Sequence, residues 1–471
     1  MAEGGAIGGG VAEVGKKKPP LVAVLVKPGL QKQSSGEGLP GSNQKEVVLN
    51  VQLASNRVQR FLRREMSSPL WRWSGVSDAR LRRDGRSSVK QNLGASLLGM
   101  LVGSRSLREV EELTLEAPGR GLFGVQERVP DTTLYRFLKR TAPSEVREFL
   151  VRQVRQFQRQ GRLKPVDLPC GMLVVDGKCL AVLDQPDAPG HGQHQVGNGD
   201  DRYVVRALRA VLASPRARVC VDQQMIPAST NDMGAFPAFF EQLERTWGKS
   251  DLYEIISVDA GFTSKDNAAL INSRNKGYVM GLKENQPELL AEARRVLLPQ
   301  HARGAYEAAT GWEKVRGSRV RRLFYRTTEM AGWLDWPHLR QVWLVVQQTR
   351  RDKDGPITEE LRFFVTNLPV GRLTPAQCLR VVRSHWAVEN DCFWALDMQW
   401  EEDRVPWCSK GHAIELLGLL RLLAFNIVQF LRQRHLRRKL TPSKLTRAPR
   451  FQQVFDWIRR ALFLEPVAAC L

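Results

Sequence analysis

Three acidic residues stand where an acid is costly unless something uses it. Asp176 interrupts the almost wholly apolar run CGMLVVDGKCLAVL (170–183). Asp259 follows Ile255, Ile256, Ser257 and Val258 at the end of another apolar run. Glu389 lies in RSHWAVENDCFWALDMQWEED (383–403), among His385, Trp386, Phe393, Trp394 and Trp400. A carboxylate withdrawn from water needs a partner, and a cation is the simplest one. Three oxygen donors with no accompanying Cys/His cluster suit Mg²⁺ or Mn²⁺ better than zinc. Two such ions, about 3.5–4 Å apart, activate a water or a 3′-hydroxyl and stabilise the leaving oxygen in phosphoryl transfer. Each Asp alone also has a plainer explanation, since strand-end aspartates commonly cap the next helix. His191 and His194, in PGHGQHQ, lack a third ligand in their Gly/Asp-rich loop, which argues against a zinc site there.

The charge of the chain points the same way. Its 471 residues hold 71 Lys+Arg against 49 Asp+Glu, a formal net charge of +22. Such an excess favours a polyanionic partner, because each neutralised phosphate releases counterions. The basic run LRQRHLRRKLTPSKLTRAPR (431–450) contains Arg437, Arg438 and Lys439 and no acid. It reads as a solvated face or, given the overall charge, as a phosphate contact. Seven cysteines without a repeated spacing argue for reduced thiols in a cytoplasmic protein rather than a disulfide framework. No secretory signal is evident, and HAIELLGLLRLLAFNIVQFL (412–431) carries Glu415, Arg421, Asn426 and Gln429. That stretch reads as a helix buried in protein, with no membrane partner expected.

The elements that must position these residues follow from periodicity. Residues 1–70 are Gly-, Ser- and Lys-rich and read as a flexible tail. Residues 71–165 turn helical and read as a DNA-binding domain or a plain support domain. Within them VPDTTLYRFLKRTAPSEVREFLVRQVRQFQRQ predicts two helices broken at Ala142-Pro143. Asp131, Thr132 or Thr133 caps the first, leaving Arg136, Lys139 and Arg140 on its outer side. From 170 the pattern becomes strands, then alternating helix and strand, which predicts an α/β mixed sheet. NDMGAFPAFFEQLERTW (231–247) predicts a helix capped by Asn231, and TSKDNAALINSRN one opened by Thr263 or Ser264. Further strand-like runs, RRLFYRTTE, RQVWLVVQQTR and ELRFFVTNL, precede a long helix opened by Pro375. Trp386, Phe393 and Trp400 are spaced to pack as one stripe on that helix, with Glu389 close to the stripe and facing the domain.

Four stretches together resemble the DDE transposases of bacterial insertion sequences, in the branch that includes the H-repeat-associated proteins. They are VVDGKCL around Asp176, ISVDAGFTSKDNAALINSRNKGYVMGLKENQPEL from 256, the WPHLRQVWLVVQQTR…LRFFVTNLP region, and RSHWAVENDCFWALDMQWEED. The second and fourth are the specific ones. The resemblance implies a ribonuclease H-like mixed sheet with helices on both faces (catalytic domain 166–432), a β-rich insertion at about 295–372, and a basic C-terminal segment at 433–471. The gap before the third acid, 389 − 259 = 130 positions, agrees with such an insertion. By carry-over Asp176, Asp259 and Glu389 form the metal-binding catalytic triad for two Mg²⁺ or Mn²⁺ ions. The implied reaction nicks the ends of an element and transfers the freed 3′-OH to target DNA. Partners are then duplex DNA with terminal inverted repeats, target DNA and a second copy of the chain, in the bacterial cytoplasm. Lys283, Asn285 and Gln286 match a polar motif and are candidate DNA contacts. His385 fits the His-Trp form of this branch, as a phosphate contact or a packed histidine; Asn390 and Trp386 match too, with helix packing the favoured role.

The sequence departs from the family in places. Cys179-Leu180-Ala181 follows the first Asp-Gly-Lys where relatives have Arg-Gly-Ser or similar, and the positions that hold Tyr, Arg and Lys around the third acid in related groups are Val382, His385 and Leu396. The alternative reading is a DNA-binding remnant or repressor that keeps the fold without the chemistry.

Overall fold

The computed structural model describes residues 42–77, 87–183, 193–195, 203–315, 317–333, 336, 338–352, 355–404, 407–436 and 448–463. The chain divides into two units, Met1–Val47 and Val48–Leu471, and all the described strands belong to the second. Arg437, Arg438, Lys439 and His191 lie outside the described residues, and of His194 only the backbone is described.

Five helices come first: α1 Ser42–Met66, α2 Val89–Leu101, α3 Leu107–Glu116, α4 Asp131–Arg140 and α5 Pro143–Arg159. The strands β1 Met172–Leu183, β2 Gln193–Gln195, β3 Tyr203–Leu212 and β4 Val219–Met225 come after them. Next come α6 Asp232–Trp247, β5 Ile255–Val258, α7 Lys265–Ser273, β6 Gly277–Leu282 and α8 Pro287–Ala302. The β-rich part holds β7 Ala308–Ala309, β8 Glu313–Val315, β9 Ser318–Thr327, β10 Gln341–Arg350 and β11 Thr358–Thr366. The chain closes with α9 Pro375–Val388, α10 Trp394–Trp400, α11 Ala413–Phe430 and α12 Phe451–Phe463.

The sheet is ribonuclease H-like. Strands β4, β3 and β1 form an antiparallel meander, and β5 and β6 add in parallel beyond β1. Helices cover both faces. Met172 and Val174 of β1 point into one core with α9 and α11, while Leu173 and Val175 point into the other with Phe236 and Phe240 of α6. This is the period of two expected of strands buried on both sides.

The β-rich insertion is present, but it is not a separate body. Phe363–Thr366 of β11 pair antiparallel with Val279–Leu282 of β6, so the described strands form one continuous sheet of 11. An open β6 edge would expose unpaired amides, and the insertion covers it.

Two expectations about the N-terminal part need correction. Residues 42–66 are helical, not tail, and Ala54, Val58 and Leu62 of α1 are fully buried. The Gly/Ser bias that suggests a tail ends near Gly41, and QLASNRVQRFLRREM beyond it has apolar residues at helical spacing. The segment 71–165 is likewise no independent domain, since Leu97, Leu98, Leu134 and Phe149 share one core with Leu416, Leu420 and Phe425 of α11. The break at Ala142-Pro143 stands as expected, and Arg136, Lys139 and Arg140 are exposed on α4. Asp131 lies in the first turn of α4 rather than at its cap, which is Pro130. Helix α11 is buried along its length, as its polar residues suggested. Asn426 there accepts from the Cys220 amide at 2.8 Å and donates to Gln153 at 2.9 Å, which is how a buried amide is satisfied.

Candidate active site

The first two acids are brought together by strand register. In the parallel pair, Val175 of β1 lies beside Val258 of β5, so the next residues on each strand are Asp176 and Asp259. Neighbouring strands are about 4.8 Å apart, and alternation sends both side chains to the face of Val174 and Ser257. Asp176 sits mid-strand, opposite Arg209 of β3, whereas Asp259 stands just past the end of β5 at the lip of the sheet. Asp259 does not cap the short helical turn Ala260–Phe262 through its side chain, so its carboxylate is left for other use.

The third acid arrives on the helix that covers this face. Thr374 and Gln377 make a capping box and Pro375 occupies the first turn, so α9 starts firmly. Its buried His385 shares a hydrogen bond of 3.0 Å with Ser257 of β5, two residues before Asp259. Glu389 is one helical turn further on. Asp176, Asp259, Glu389, Lys283, His385 and Trp386 all line one cavity of about 410 Å³, with Arg362 of β11 on its far wall.

The electrostatics mark this cavity as a place of unbalanced negative charge. Burial pushes the Asp176 carboxyl up to about 7, with Asp259, Glu389 and Asp232 adding to the rise and its bond to the Gly177 amide opposing it. Burial lowers His385 to about 4, against the pull of Asp259 and with the help of Arg362, so this imidazole is neutral at pH 7. Among the described residues no group of three or more His, Cys, Asp or Glu side chains stands close enough to hold a metal ion between them. The donor set itself is oxygen only, which fits a hard divalent cation.

Comparison with known proteins shows the family of the chain. The model of the Transposase DDE domain matches residues 172–427, more than half of the chain and all three acids. The chain belongs to the DDE transposase family. "Putative transposase YncI" of Escherichia coli O157:H7 is 23% identical over 265 residues, 54% of this chain and 63% of that protein. "H repeat-associated putative transposase YhhI" of Escherichia coli K12 is 23% identical over 266 residues, 55% of this chain and 64% of that protein. The match thus spans less than two thirds of the length of these relatives. A cryo-EM structure of the piggyBac transposase synaptic complex with hairpin DNA covers 88% of this chain and 80% of that one, at 11% identity and a TM-score of 0.38.

Within this transposase domain, the polar motif after β6 is bonded to the loop after β5. Asn285 donates to the Ala260 carbonyl at 2.9 Å and to the Thr263 carbonyl at 3.2 Å, and Gln286 donates to Thr263 at 3.2 Å. Both amides therefore pin the loop that follows Asp259, while of the three Lys283 lines the cavity. Gly281 belongs to the same arrangement: a Cβ there would lie 2.9 Å from the Ala260 nitrogen, so only glycine lets β6 approach the Asp259 loop so closely.

The expected aromatic stripe is corrected. Residues Glu389–Phe393 form a π-helical turn between α9 and α10, which inserts extra rotation where the sequence pattern predicts an unbroken α-helix. Phe393 and Trp400 remain in the core, and Trp400 donates to the Met100 carbonyl at 2.8 Å. Trp386 is half-buried at the edge of the same core, packs against Phe364 and carries the Arg362 guanidinium 4.3 Å above its ring. Asn390 donates to the Trp386 carbonyl at 2.9 Å.

Sequence reasoning missed a buried ion cluster beside the site. Arg209, next to Asp176 across the β1–β3 pair, makes two bonds of 2.6 and 2.7 Å to Glu402, and both residues are fully buried. Arg421 approaches the same carboxylate at 3.7 Å. Burial would raise Glu402, but Arg209 foremost, then Arg421 and Lys178, hold its pKa below the ordinary carboxylate value. Glu401 makes this possible by adopting φ 48°, which ends α10 and turns the chain inward. The signal in the sequence was an arginine inside the apolar strand RYVVRALRAVL, which had to have a counter-charge somewhere.

Proposed function

We propose that the chain is an active DNA transposase that cleaves DNA at the ends of an insertion element and transfers the 3′-OH ends to target DNA. The observation that supports this most strongly is the meeting of Asp176, Asp259 and Glu389 at one cavity from three separate parts of the chain. In this reading the three carboxylates hold two Mg²⁺ or Mn²⁺ ions. Bound there, the ions supply Lewis-acid activation of the attacking oxygen and stabilisation of the leaving one.

The protein's own groups have separable tasks. Asp176 and Asp259 present oxygens from adjacent strands, and Glu389 completes the set from above. His385, neutral and buried, fixes the height of α9 over β5 through Ser257 instead of contacting phosphate. Lys283 and Arg362 place positive charge at the cavity rim and wall, where scissile-strand phosphates would pass. Asn285 and Gln286 are positioning residues for the Asp259 loop. The net charge of +22 supports duplex DNA as the partner, both as element ends with terminal inverted repeats and as target. Two ends brought together call for a homodimer, acting on DNA in the bacterial cytoplasm.

The test uses purified full-length protein and labelled duplex carrying the element's terminal inverted repeats. Cleavage should require Mg²⁺ or Mn²⁺ and stop with EDTA. Asp259→Ala should lower it by more than about 100-fold, beyond what loss of an outer-shell partner costs, while duplex binding persists. Undiminished cleavage by that variant overturns the triad. Metal-independent binding with no cleavage by the unaltered protein would favour the inactive remnant, and joining assays with a pre-nicked end separate a transposase from a simple nuclease.

A further inference from the structure

Away from the carboxylate cavity, a dense concentration of positive charge lies on α1. Arg57, Arg60 and Arg64 recur at three- and four-residue spacing, so they share one helix face. With Phe61 and His435 they line a cavity of about 390 Å³ whose wall contains no acid. His435 comes from the π-helical turn Leu431–Leu436 that extends α11, and its ring centroid lies 4.7 Å from that of Phe61. Core packing therefore holds the cavity open from both sides.

The charge continues beyond it. Arg64 also lines an adjoining groove of about 750 Å³, together with Ser67, Gln156, Gln160 and Arg162. The one acid there, Glu65, is buried and already paired with Arg162 at 3.2 Å. Arg434 on the π-helical turn has its pKa lowered by burial and then by the nearness of Arg162 and Arg216.

This arrangement works against the fold unless an anion completes it. Like charges at four-residue spacing, as for Arg60 and Arg64, destabilise a helix. The Arg57 Nη1 atom is buried and has no hydrogen-bond partner, an orphan donor of the kind folded proteins avoid. Phosphate oxygens entering the cavity would relieve both. A rise of 1.5 Å per residue spaces the arginine stems about 4.5 and 6 Å apart along the axis, enough for a backbone strand running beside the helix to meet them in turn. Serine and glutamine, which come next in the adjoining groove, are common neutral partners of phosphate and sugar.

We propose that this face of α1 is a docking track for the phosphodiester backbone of duplex DNA. None of its residues lines the carboxylate cavity, and it is distinct from Arg136, Lys139 and Arg140 on α4. Its contribution is affinity and register, without reading bases.

The test is a salt series of binding to a labelled random-sequence duplex, read by fluorescence anisotropy with the full-length protein in EDTA. Replacing the three arginines together (Arg57→Gln, Arg60→Gln, Arg64→Gln) should reduce the slope of log K against log salt by about 2.7 and weaken binding at least tenfold at about 0.1 M salt. The same three positions changed to lysine should keep most of the slope. A charge-matched control, Arg108→Gln with Arg274→Gln and Arg295→Gln, should leave it unchanged. If the glutamine variant loses its thermal transition, the single change Arg60→Glu at an exposed position is read instead, with an expected drop of about 0.9 or more. An unchanged slope, or an equal loss in the control, overturns the proposal. Because the readout is binding without metal, its failure leaves the cleavage reading standing, and failure of cleavage leaves this track standing.

Discussion

Asp176 and Asp259 ride on neighbouring parallel strands, whereas Glu389 rides on a helix that crosses the sheet 130 positions after Asp259. The strand-borne pair is set by backbone hydrogen bonds: once Val175 lies beside Val258, the backbones of the two acids follow side by side. The helix-borne acid has no such ladder. Its place depends on the His385–Ser257 bond below it, on the π-helical turn that starts with it, and on the anchoring of α10 beyond. One half of the site is made rigid by the sheet, and the other half is made adjustable by side-chain packing.

That contrast can be broken first at the anchor beyond α10. Glu402→Ala would leave Arg209 and Arg421 buried without their counter-charge, and we expect a loss of about 3–5 kcal/mol in urea denaturation. The pH dependence has a definite sign. Glu402 has a folded pKa below its unfolded value of about 4.3, so its contribution is complete above that value and disappears as pH falls through the folded pKa. Stability measured from pH 6 down to pH 3 should fall for the unaltered protein, and Glu402→Gln should lack that component of the fall.

Next is the π-helical turn itself. Deleting Asp391 removes one residue and rotates Glu389 by about 100° relative to Phe393 and Trp400. Either the acid leaves the cavity or the aromatic residues leave the core, and cleavage should fall by about 100-fold, the cost of a misplacement of ångström size. A variant of undiminished activity would mean that the turn is dispensable. Ser257→Ala is milder: it should cost about 1 kcal/mol in denaturation, and it should impair cleavage more than Ala210→Gly, a comparably small change on β3 away from His385. The smallest effect is expected for Arg218→Gln. This cation reaches Asp391 at 2.8 Å across a half-exposed surface, so the change should cost under about 1 kcal/mol.

The legibility of the molecule follows the same division. Strands β1, β3, β4, β5 and β6 are visible as apolar runs between turn residues, and the acids inside them are conspicuous for lacking an apolar reason to be there. The helix caps at Asn231 and Ser264 are readable too, because a cap is a local hydrogen bond to an amide two or three residues away. Nothing that depends on distant partners can be read in this way. The β6–β11 pairing joins residues about eighty positions apart, and no local pattern announces it. Helix α1 is hidden by the glycine-rich composition before it. The phase of the aromatic stripe escapes the sequence pattern because a π-helical turn obeys the packing on either side of it rather than the residues within it.

By itself, then, the amino-acid sequence determined most strands and helices and singled out the three acids as candidate oxygen donors, since propensity, alternation and side-chain type act over a few residues. The tertiary structure decided that the insertion continues the sheet, that His385 is bonded to Ser257, that Glu402 answers Arg209, and that Trp386 sits between the core and the cavity. Each of these is a contact between residues far apart in the chain, and its energy exists only once the chain has folded around it.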